Sequence, residues 1–237
     1  MKTLLIHGLG QNAASWNDTL AALPDSWDIE APSLLDLPGA QPEYAGLYRA
    51  FCSYCAAMED RLNLVGLSLG AILALHYASE HPDRVGKIAL IGAQYHMPRF
   101  LLLVQDILFR LMPGAAFEES GLKKSDFIRL THTMSRLDFT GRLAQVQCPA
   151  CVLCGEKDGP NQKAARELSL KLPQAQLHII PNAGHEVNKD QPEKLAEILT
   201  AFFSCSFPIF RAVSCLSRSR RISPGGTTAS ERAASPA

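Results

Sequence analysis

The sequence has no excess of charge of either sign. Lysine and arginine together number 23, and so do aspartate and glutamate, which gives a formal net charge of zero at pH 7. A field that attracts nucleic acid or an anionic membrane surface is therefore not expected. The G-x-G-x-x-G and Walker-type loops that hold nucleotide phosphates are also missing. These absences predict a small-molecule substrate, no nucleic-acid or membrane partner, and no metal, nucleotide or flavin cofactor. They leave the oligomeric state open.

A secretory leader and a membrane-spanning run are missing as well. Met1 leads within a few residues into TLLIHG, without the basic start, long apolar run and small-residue cleavage site of a signal peptide. We therefore expect a cytoplasmic location. Residues 100–112 are mostly apolar, but they include Asp106 and Arg110 and are too few to span a bilayer. A buried helix or a lid helix is the better interpretation of this segment.

The cysteines do not form the even, regularly spaced set of a disulfide framework. There are seven, scattered along a chain without a leader, which is typical of reduced thiols. Cys148, Cys151 and Cys154 form a C-x2-C-x2-C pattern that resembles the spacing of a metal site. They lie in and beside an apolar strand candidate, however, where successive side chains point to opposite faces. The pattern therefore favours small buried side chains over a metal site.

What the sequence does contain is an alternation of strand-like and helix-like segments. Strands are predicted at 2–8, 27–34, 62–68, 85–93, 150–158 and 175–181. Helices are predicted between and after them, at 13–23, 44–60, 69–79, 159–172 and 191–203. This alternation predicts an α/β fold, with a mostly parallel sheet of about six strands and helices on both faces.

Two segments depart from the alternation. Residues 94–146 hold only helix-like material, which predicts a small helical lid inserted into a single domain that spans residues 1–203. From residue 204 the composition changes to serine, arginine, proline, glycine and alanine, which cannot bury much apolar surface. A disordered tail is predicted over 204–237.

Ser68 lies between two glycines, in the pattern G-x-S-x-G. By chance alone, about one chain in ten of this length contains the pattern. The evidence for a nucleophile therefore comes from the place of Ser68 in the predicted fold. Gly66 and Gly70 flank Ser68 where a strand-like run becomes a helix-like one. Glycines permit a tight turn that exposes the serine, and the start of the helix favours developing negative charge. Ser68 is therefore a candidate nucleophile.

A serine nucleophile needs a histidine base that is oriented by a carboxylate. His185 follows the last predicted strand in a loop with Gly184, at the strand end where open parallel sheets place their ligand chemistry. His76, His81 and His178 have simpler structural interpretations, and His96 and His132 belong to the insertion.

Asp158 is the candidate acid because it closes the strand before His185. An aspartate before Gly159 and Pro160 is equally typical of a turn. The order Ser68, Asp158, His185, each at the carboxyl end of a predicted strand, favours a catalytic triad. The alternative acids are Asp106, Asp126, Asp138 and Glu156.

Five motifs follow the predicted strands in order. They are HGLGQNAASW, DLPG, GLSLG, GEKD and PNAGH. With them the chain resembles the α/β-hydrolase superfamily over roughly residues 2–203. The resemblance implies that the backbone N–H groups of Leu9 and Leu69 form an oxyanion hole, and that His7 is architectural. The superfamily's opening hairpin has no match in this chain, and the segment after Phe203 has no counterpart in the superfamily.

The triad and the apolar lid favour a carboxylic-ester hydrolase that acts through an acyl-enzyme on a small to medium, partly apolar substrate. A lyase or carbon–carbon bond hydrolase on a carboxylated substrate is the alternative if arginines of the insertion turn toward Ser68. These arginines are Arg99, Arg110, Arg129 and Arg136. A noncatalytic ligand receptor is a third hypothesis, since fold does not fix function.

Overall fold

A six-stranded parallel sheet forms the centre of the structure, a computed structural model that describes residues 1–97 and 123–205. The strands are β1 (Thr3–Ile6), β2 (Ile29–Glu30), β3 (Leu62–Leu67), β4 (Val85–Ile91), β5 (Ala150–Gly155) and β6 (Ala175–Ile180). Their spatial order is β2-β1-β3-β4-β5-β6, and all neighbours run parallel. The predicted α/β class and strand number are confirmed.

The described helices cover both faces of this sheet. They are α1 (Asn17–Ala22), α2 (Tyr44–Ala56), α3 (Leu69–Glu80), α4 (Lys124–Met134), α5 (Gly159–Lys171), α6 (Val187–Asp190) and α7 (Pro192–Ser204). Leu4 and Ile6 of β1 share a hydrophobic layer with α2, α3 and α5, whereas Leu5 shares the opposite layer with α1 and α7. Among these helices, none is long and apolar enough to cross a membrane.

The register of the sheet aligns the carboxyl ends of the central strands. The aligned pairs are Ile6 with Gly66, Leu67 with Ile91, and Ile91 with Leu153. Because the strands are parallel, the loops that follow them leave from the same edge of the sheet. The segments that begin at residues 7, 68, 92 and 156 therefore start close to one another.

Several strands are shorter than predicted, and the second strand and second helix each end four residues before their predicted ends. The second strand keeps only Ile29–Glu30 of the predicted 27–34, because Pro32 has no N–H to continue the ladder and the chain then turns into a 3-10 helix at Leu34–Asp36. The second helix ends at Ala56 instead of Asp60. There the Arg84 guanidinium donates to the carbonyl oxygens that follow the helix, including that of Glu59 at 3.1 Å.

The predicted first helix is divided into two parts. Residues Ala13–Trp16 form a 3-10 turn, and α1 continues from Asn17. The Asn12 side chain caps the 3-10 turn by accepting a hydrogen bond from the Ala14 N–H at 3.0 Å. A capping asparagine therefore fixes where the helical segment begins.

The described end of the insertion is helical and is bonded to the rest of the domain. It contains α4 and a 3-10 helix at Thr140–Gln145. The Tyr44 N–H of α2 donates to Thr133 Oγ1 of the insertion at 2.9 Å. Within the insertion, the Phe139 N–H donates to the Tyr95 carbonyl at 2.8 Å. The predicted lid helix over 100–112 lies outside the described residues. So does the predicted tail from residue 206 onward, while α7 extends through its first residue, Ser204.

The three cysteines near β5 are divided between the two faces of the sheet. Cys151 belongs to one hydrophobic layer, and Cys148 and Cys154 belong to the other. Burial raises the pKa of each of these thiols to about 12. The three side chains therefore pack as neutral, apolar groups.

Candidate active site

Ser68 occupies a tight turn between β3 and α3. Its φ of 52° and ψ of −111° lie in a region that residues with a side chain rarely adopt. A Cβ atom on Gly66 would collide with the backbone of Gly70, and one on Gly70 would collide with the carbonyl of Ile6. The turn that holds Ser68 therefore requires glycine at both flanking positions.

The backbone of Ser68 is anchored while its hydroxyl is not. The Ser68 N–H donates to the Ile91 carbonyl of β4 at 2.8 Å, and the Ser68 carbonyl accepts from the Ile72 N–H at 3.0 Å. The residue is half-buried, and Ser68 Oγ has no hydrogen-bond partner within residues 1–97 and 123–205. The backbone of Ser68 is thus fixed, and its hydroxyl has hydrogen-bonding capacity that the described chain does not use.

Two backbone N–H groups near Ser68 are unused. Neither the Leu9 N–H nor the Leu69 N–H has an acceptor in the part of the chain that the structure describes. Leu69 directly follows the serine. A Cβ atom built on Gly8 would lie 3.5 Å from Ser68 Cβ, so the loop that carries Leu9 reaches the same turn. Both N–H groups could therefore donate to an oxyanion, as the predicted oxyanion hole requires. Their role as an oxyanion hole remains a prediction.

His7 supports the loop that carries Leu9. Its Nε2 accepts from the Leu34 N–H at 3.0 Å, so its Nδ1 carries the proton and donates to the Gly8 carbonyl at 2.9 Å. Burial lowers the pKa of His7, which favours this neutral form. Because both ring nitrogens are engaged with backbone groups, His7 has the architectural environment that the sequence analysis predicted.

Asp158 and His185 are hydrogen-bonded to each other. His185 Nδ1 lies 2.7 Å from Asp158 Oδ2, and the two side chains are 42% and 5% exposed, respectively. Because an ionised carboxylate only accepts, Nδ1 carries the proton and Nε2 keeps its lone pair. This is the tautomer that a general base needs. A hydrogen bond between Ser68 and His185 is not formed among the described residues, and such bonds often form only when substrate is bound.

The alternative acids of the described chain have other environments. Asp138 pairs with His96 at 3.0 Å, and hydrogen bonds from Thr140 and His96 lower the pKa of Asp138 to about 2. Glu156 accepts from the Asn182 N–H at 3.0 Å. Asp126 lies in the first turn of α4, and Asp106 lies outside the described residues. Within the described chain, Asp158 is the carboxylate that contacts His185.

Gly92 belongs to the predicted fourth strand, but β4 ends at Ile91, and Gly92 lies against the Asp158–His185 pair. A Cβ atom on Gly92 would be 2.9 Å from His185 Cε1 and 3.6 Å from Asp158 Oδ2, and its φ is 58°. The preceding residue, Ile91, supplies the carbonyl that binds the Ser68 N–H. Gly92 therefore brings the serine turn and the acid–base pair together. A glycine at the carboxyl end of the strand next to the serine turn is the signal that could have identified it.

Asn161 and Gln94 are two further residues at this site that were not predicted from the sequence. Asn161 Nδ2 lies 2.9 Å from each carboxylate oxygen of Asp158, and Gln94 Nε2 lies 2.6 Å from Asn161 Oδ1. Both side chains are half-buried. The available signal was an amide three residues after the candidate acid, at the start of a predicted helix.

Gln94 also borders a cavity of about 300 Å³. The other lining residues come from the chain after β4 and from α5, namely Tyr95, His96, Pro160, Lys163, Ala164 and Glu167. Ser68 and His185 are not among the lining residues.

Comparison with known proteins agrees with the fold. The sequence profile of the alpha/beta hydrolase family matches residues 3–198. An enol-lactonase from Burkholderia xenovorans superimposes with a TM-score of 0.75 at 16% identity, covering 86% of this chain and 91% of that one. At this identity the likeness shows the fold alone.

The curated relatives of this chain include named enzymes. The pimeloyl-[acyl-carrier protein] methyl ester esterase of Neisseria meningitidis is 35% identical over 95 residues, which cover 39% of this chain and 36% of that protein. The chain thus spans little more than a third of the length of this relative. The putative 2-succinyl-6-hydroxy-2,4-cyclohexadiene-1-carboxylate synthase of Bacillus subtilis is 23% identical over 84% of this chain and 89% of that protein.

Proposed function

Because the chain belongs to the alpha/beta hydrolase family, we propose that it is a serine hydrolase that cleaves carboxylic esters. The observation that carries the proposal is the 2.7 Å hydrogen bond between buried Asp158 and exposed His185, at the sheet edge where Ser68 occupies its strained turn. The esterase name of the Neisseria relative agrees with a hydrolase. A base held by a carboxylate, at the same end of the sheet as a serine whose hydroxyl has no partner among the described residues, is the machinery of acyl transfer.

The reaction follows from the roles that these groups can take. Ser68 Oγ attacks the ester carbonyl while His185 Nε2 accepts its proton, and Asp158 stabilises the resulting imidazolium. The Leu9 and Leu69 N–H groups donate to the oxyanion, and the loss of one such donor costs about 3 kcal/mol. His185 then protonates the departing alcohol, which leaves an acyl-enzyme on Ser68. Water repeats the sequence, releases the carboxylic acid and restores the serine.

The insertion bears on the choice between ester hydrolysis and chemistry on a carboxylated substrate. Arg129 and Arg136 are both exposed to solvent, as is typical of arginines that do not bind a substrate carboxylate. Arg99 and Arg110 lie outside the described residues. The exposed pair favours a partly apolar acyl ester, the class to which the methyl ester named for the Neisseria relative belongs.

A lyase or carbon–carbon bond hydrolase is the second candidate. This candidate is favoured by the Bacillus relative, which aligns over most of both chains. The name of that relative is that of a cyclohexadiene carboxylate synthase. The second candidate would use the same serine and histidine, but with a substrate whose carboxylate needs a cationic partner.

The first experiment is labelling of the purified protein with a fluorophosphonate, a reagent that phosphonylates an activated serine. Ser68→Ala and heat-denatured protein are the controls. We expect one adduct, located on Ser68 and absent from both controls. A folded protein without an adduct would contradict the serine hydrolase and favour a ligand receptor.

A second experiment separates the two candidate enzymes. It compares a series of p-nitrophenyl esters of increasing acyl length with carboxylated substrates that are cleaved at a carbon–carbon bond. The ester hydrolase predicts faster turnover of the esters, whereas the lyase or carbon–carbon bond hydrolase predicts slow ester turnover and faster cleavage of the carboxylated substrates.

A further inference from the structure

Asn161 contacts both members of the predicted acid–base pair. Its Nδ2 donates to Asp158 at 2.9 Å from Oδ1 and 2.9 Å from Oδ2. It also lies 3.1 Å from Nδ1 of His185, but both of these nitrogens carry protons, so that contact is not a hydrogen bond. We propose that Asn161 is a positioning residue that holds the Asp158 carboxylate toward His185, and that Gln94 fixes the orientation of the Asn161 amide. The inference rests on the proposed function, because it assigns Asn161 a role in the serine hydrolase mechanism.

The donors and acceptors in this cluster are fixed by chemistry. The Asp158 carboxylate only accepts hydrogen bonds, so the Asn161 group that faces it is the NH2. The Asn161 carbonyl oxygen then points away and needs a donor of its own. Gln94 Nε2 supplies that donor at 2.6 Å. A chain of hydrogen bonds therefore runs from Gln94 through Asn161 to Asp158, which also accepts from His185.

The geometry explains why this pair needs additional support. Asp158 is 5% exposed, and a buried carboxylate is costly unless several donors satisfy it. One contact from His185 leaves the other oxygen, Oδ1, to be satisfied, and Asn161 reaches both oxygens. With the carboxylate held from one side, Oδ2 stays aligned with Nδ1 of His185. His185 is 42% exposed, so its alignment depends on Asp158 more than that of an enclosed ring would.

Gln94 connects this support to the start of the insertion. It lies two residues after Gly92 and three residues before the described chain is interrupted, and it bonds Asn161 at the start of α5. The side chain of Gln94 touches neither Asp158 nor His185 in the described hydrogen bonds. Its effect on catalysis must therefore pass through Asn161, which is a testable requirement.

The test is a double-mutant cycle with Asn161→Leu and Gln94→Leu, measured on the ester that the wild-type protein hydrolyses best. We expect Asn161→Leu to lower kcat about 10- to 100-fold, because displacement of a catalytic group by about 1 Å has effects of this order. KM should stay within about twofold. Gln94→Leu should lower kcat by about 3- to 10-fold alone and by nothing further in the Asn161→Leu background.

Gln162→Leu is the matched control in the same helical turn. The Gln162 side chain donates to the Glu156 carbonyl and not to Asp158, so its loss should leave kcat unchanged. Side-chain 15N NMR of His185, assigned with His185→Gln, supplies a readout that needs no turnover. We expect the Nδ1–H form to dominate in the wild type and mixed tautomers in Asn161→Leu. If Asn161→Leu does not fold, Asn161→Ala and the Gln94 variant carry the same comparison.

The outcomes separate this inference from the proposed function. Wild-type protein that neither labels nor hydrolyses contradicts the proposed function, whereas the NMR comparison still tests the support of His185. An active wild type whose kcat and His185 spectrum are unchanged in Asn161→Leu would overturn the role of Asn161. Additive effects of the two substitutions would overturn the role of Gln94.

Discussion

His185 and His76 each lie beside a carboxylate, but their surroundings suit them to different tasks. His76 Nε2 is 3.1 Å from Glu80 Oε1 and 3.1 Å from Arg142 Nη1, and His76 Nδ1 is 3.1 Å from the Tyr44 hydroxyl. Its ring also stacks on Tyr48 with a centroid separation of 3.7 Å. Both nitrogens of His76 are therefore engaged. The described contacts of His185 involve only Nδ1, which leaves Nε2 to take a proton.

The two carboxylates differ in their exposure to solvent, and the order is the reverse of that of the two imidazoles. Glu80 is 36% exposed and also accepts from Tyr48 at 2.8 Å, whereas Asp158 is 5% exposed and is held by a neighbouring amide. At the candidate site the acid is buried and the base is accessible. In the His76 cluster the imidazole is enclosed, with a side-chain exposure of 14%, and the acid reaches solvent. A histidine beside a carboxylate is thus no sign of catalysis unless one ring nitrogen is both accessible and unpaired.

The sharpest way to break the comparison is to remove each histidine. We expect His185→Gln, like Ser68→Ala, to lower kcat on the order of 10⁴- to 10⁶-fold, because the serine loses its base. His76→Gln should change kcat by less than about threefold and lower the free energy of unfolding by about 1–2 kcal/mol through lost stacking and hydrogen bonds. Steady-state kinetics and urea unfolding check both values. Similar losses of kcat in both variants would remove the distinction.

The two carboxylates give the next comparison. Asp158→Asn keeps the shape of the side chain but offers His185 a donor as well as an acceptor, which permits the wrong tautomer. We expect kcat to fall about 10⁴-fold with the fold intact. Glu80→Gln is the matched change in the other cluster, and its kcat should stay within about threefold. Full activity of Asp158→Asn would show that another group orients His185.

Gly92 tests whether space around His185 matters as much as its hydrogen bond. Gly92→Ala introduces a methyl group 2.9 Å from His185 Cε1 at a φ of 58°, so we expect kcat to fall about 10- to 100-fold. Gly141→Ala is the control, since nothing lies within 4 Å of its added methyl group. The strain at Gly92 should also cost about 1–3 kcal/mol of unfolding free energy. An alanine variant with wild-type kinetics would place His185 elsewhere during turnover.

The sequence was sufficient for the class and strand number of the sheet and for finding Ser68, Asp158 and His185 in the loops after β3, β5 and β6, because each of these depends on local pattern. The catalytic roles of the three residues remain predictions. Apolar runs define the strands, and each candidate residue lies in the loop that leaves the carboxyl end of a strand. The contacts of Gly92, Asn161 and Gln94 were not predictable in this way. Gly92 meets a histidine 93 positions later in the chain, and Gln94 meets an amide 67 positions later. Such pairings become visible only when the register of the sheet is known.

Element ends show the same limit at a smaller scale. Pro32 gave a local reason for a short second strand, yet the 3-10 turn after it also depends on the bond from the Leu34 N–H to His7. The end of α2 depends on Arg84, which lies more than 20 residues further along the chain. Long-range polar contacts of this kind leave no periodic pattern in the sequence.

The smallest expected difference between His76 and His185 concerns the pH dependence of the free energy of unfolding. Burial lowers the pKa of His76, with Glu80 acting in the opposite direction, so folded His76 stays neutral at a pH where an unfolded histidine takes up a proton. The unfolded chain then binds more protons, and the free energy of unfolding falls as the pH drops through about 6.5. Tyr44, Tyr48, Cys52, His81 and Arg142 also face this cluster.

Burial lowers the pKa of His7 and of His178 as well, so His76→Gln should reduce the fall between pH 7.5 and 5.5 without abolishing it. Urea unfolding of the wild type and of His76→Gln at both values measures the difference. The range stops at pH 5.5 because Glu80, whose pKa lies below its usual 4.5, would contribute at lower pH. Between pH 7.5 and 8.5 the two proteins should change alike, since a histidine binds no proton there in either state. An equal fall in both proteins toward pH 5.5 would show that His76 is not held in its neutral form, and the contrast with His185 would then rest on accessibility alone.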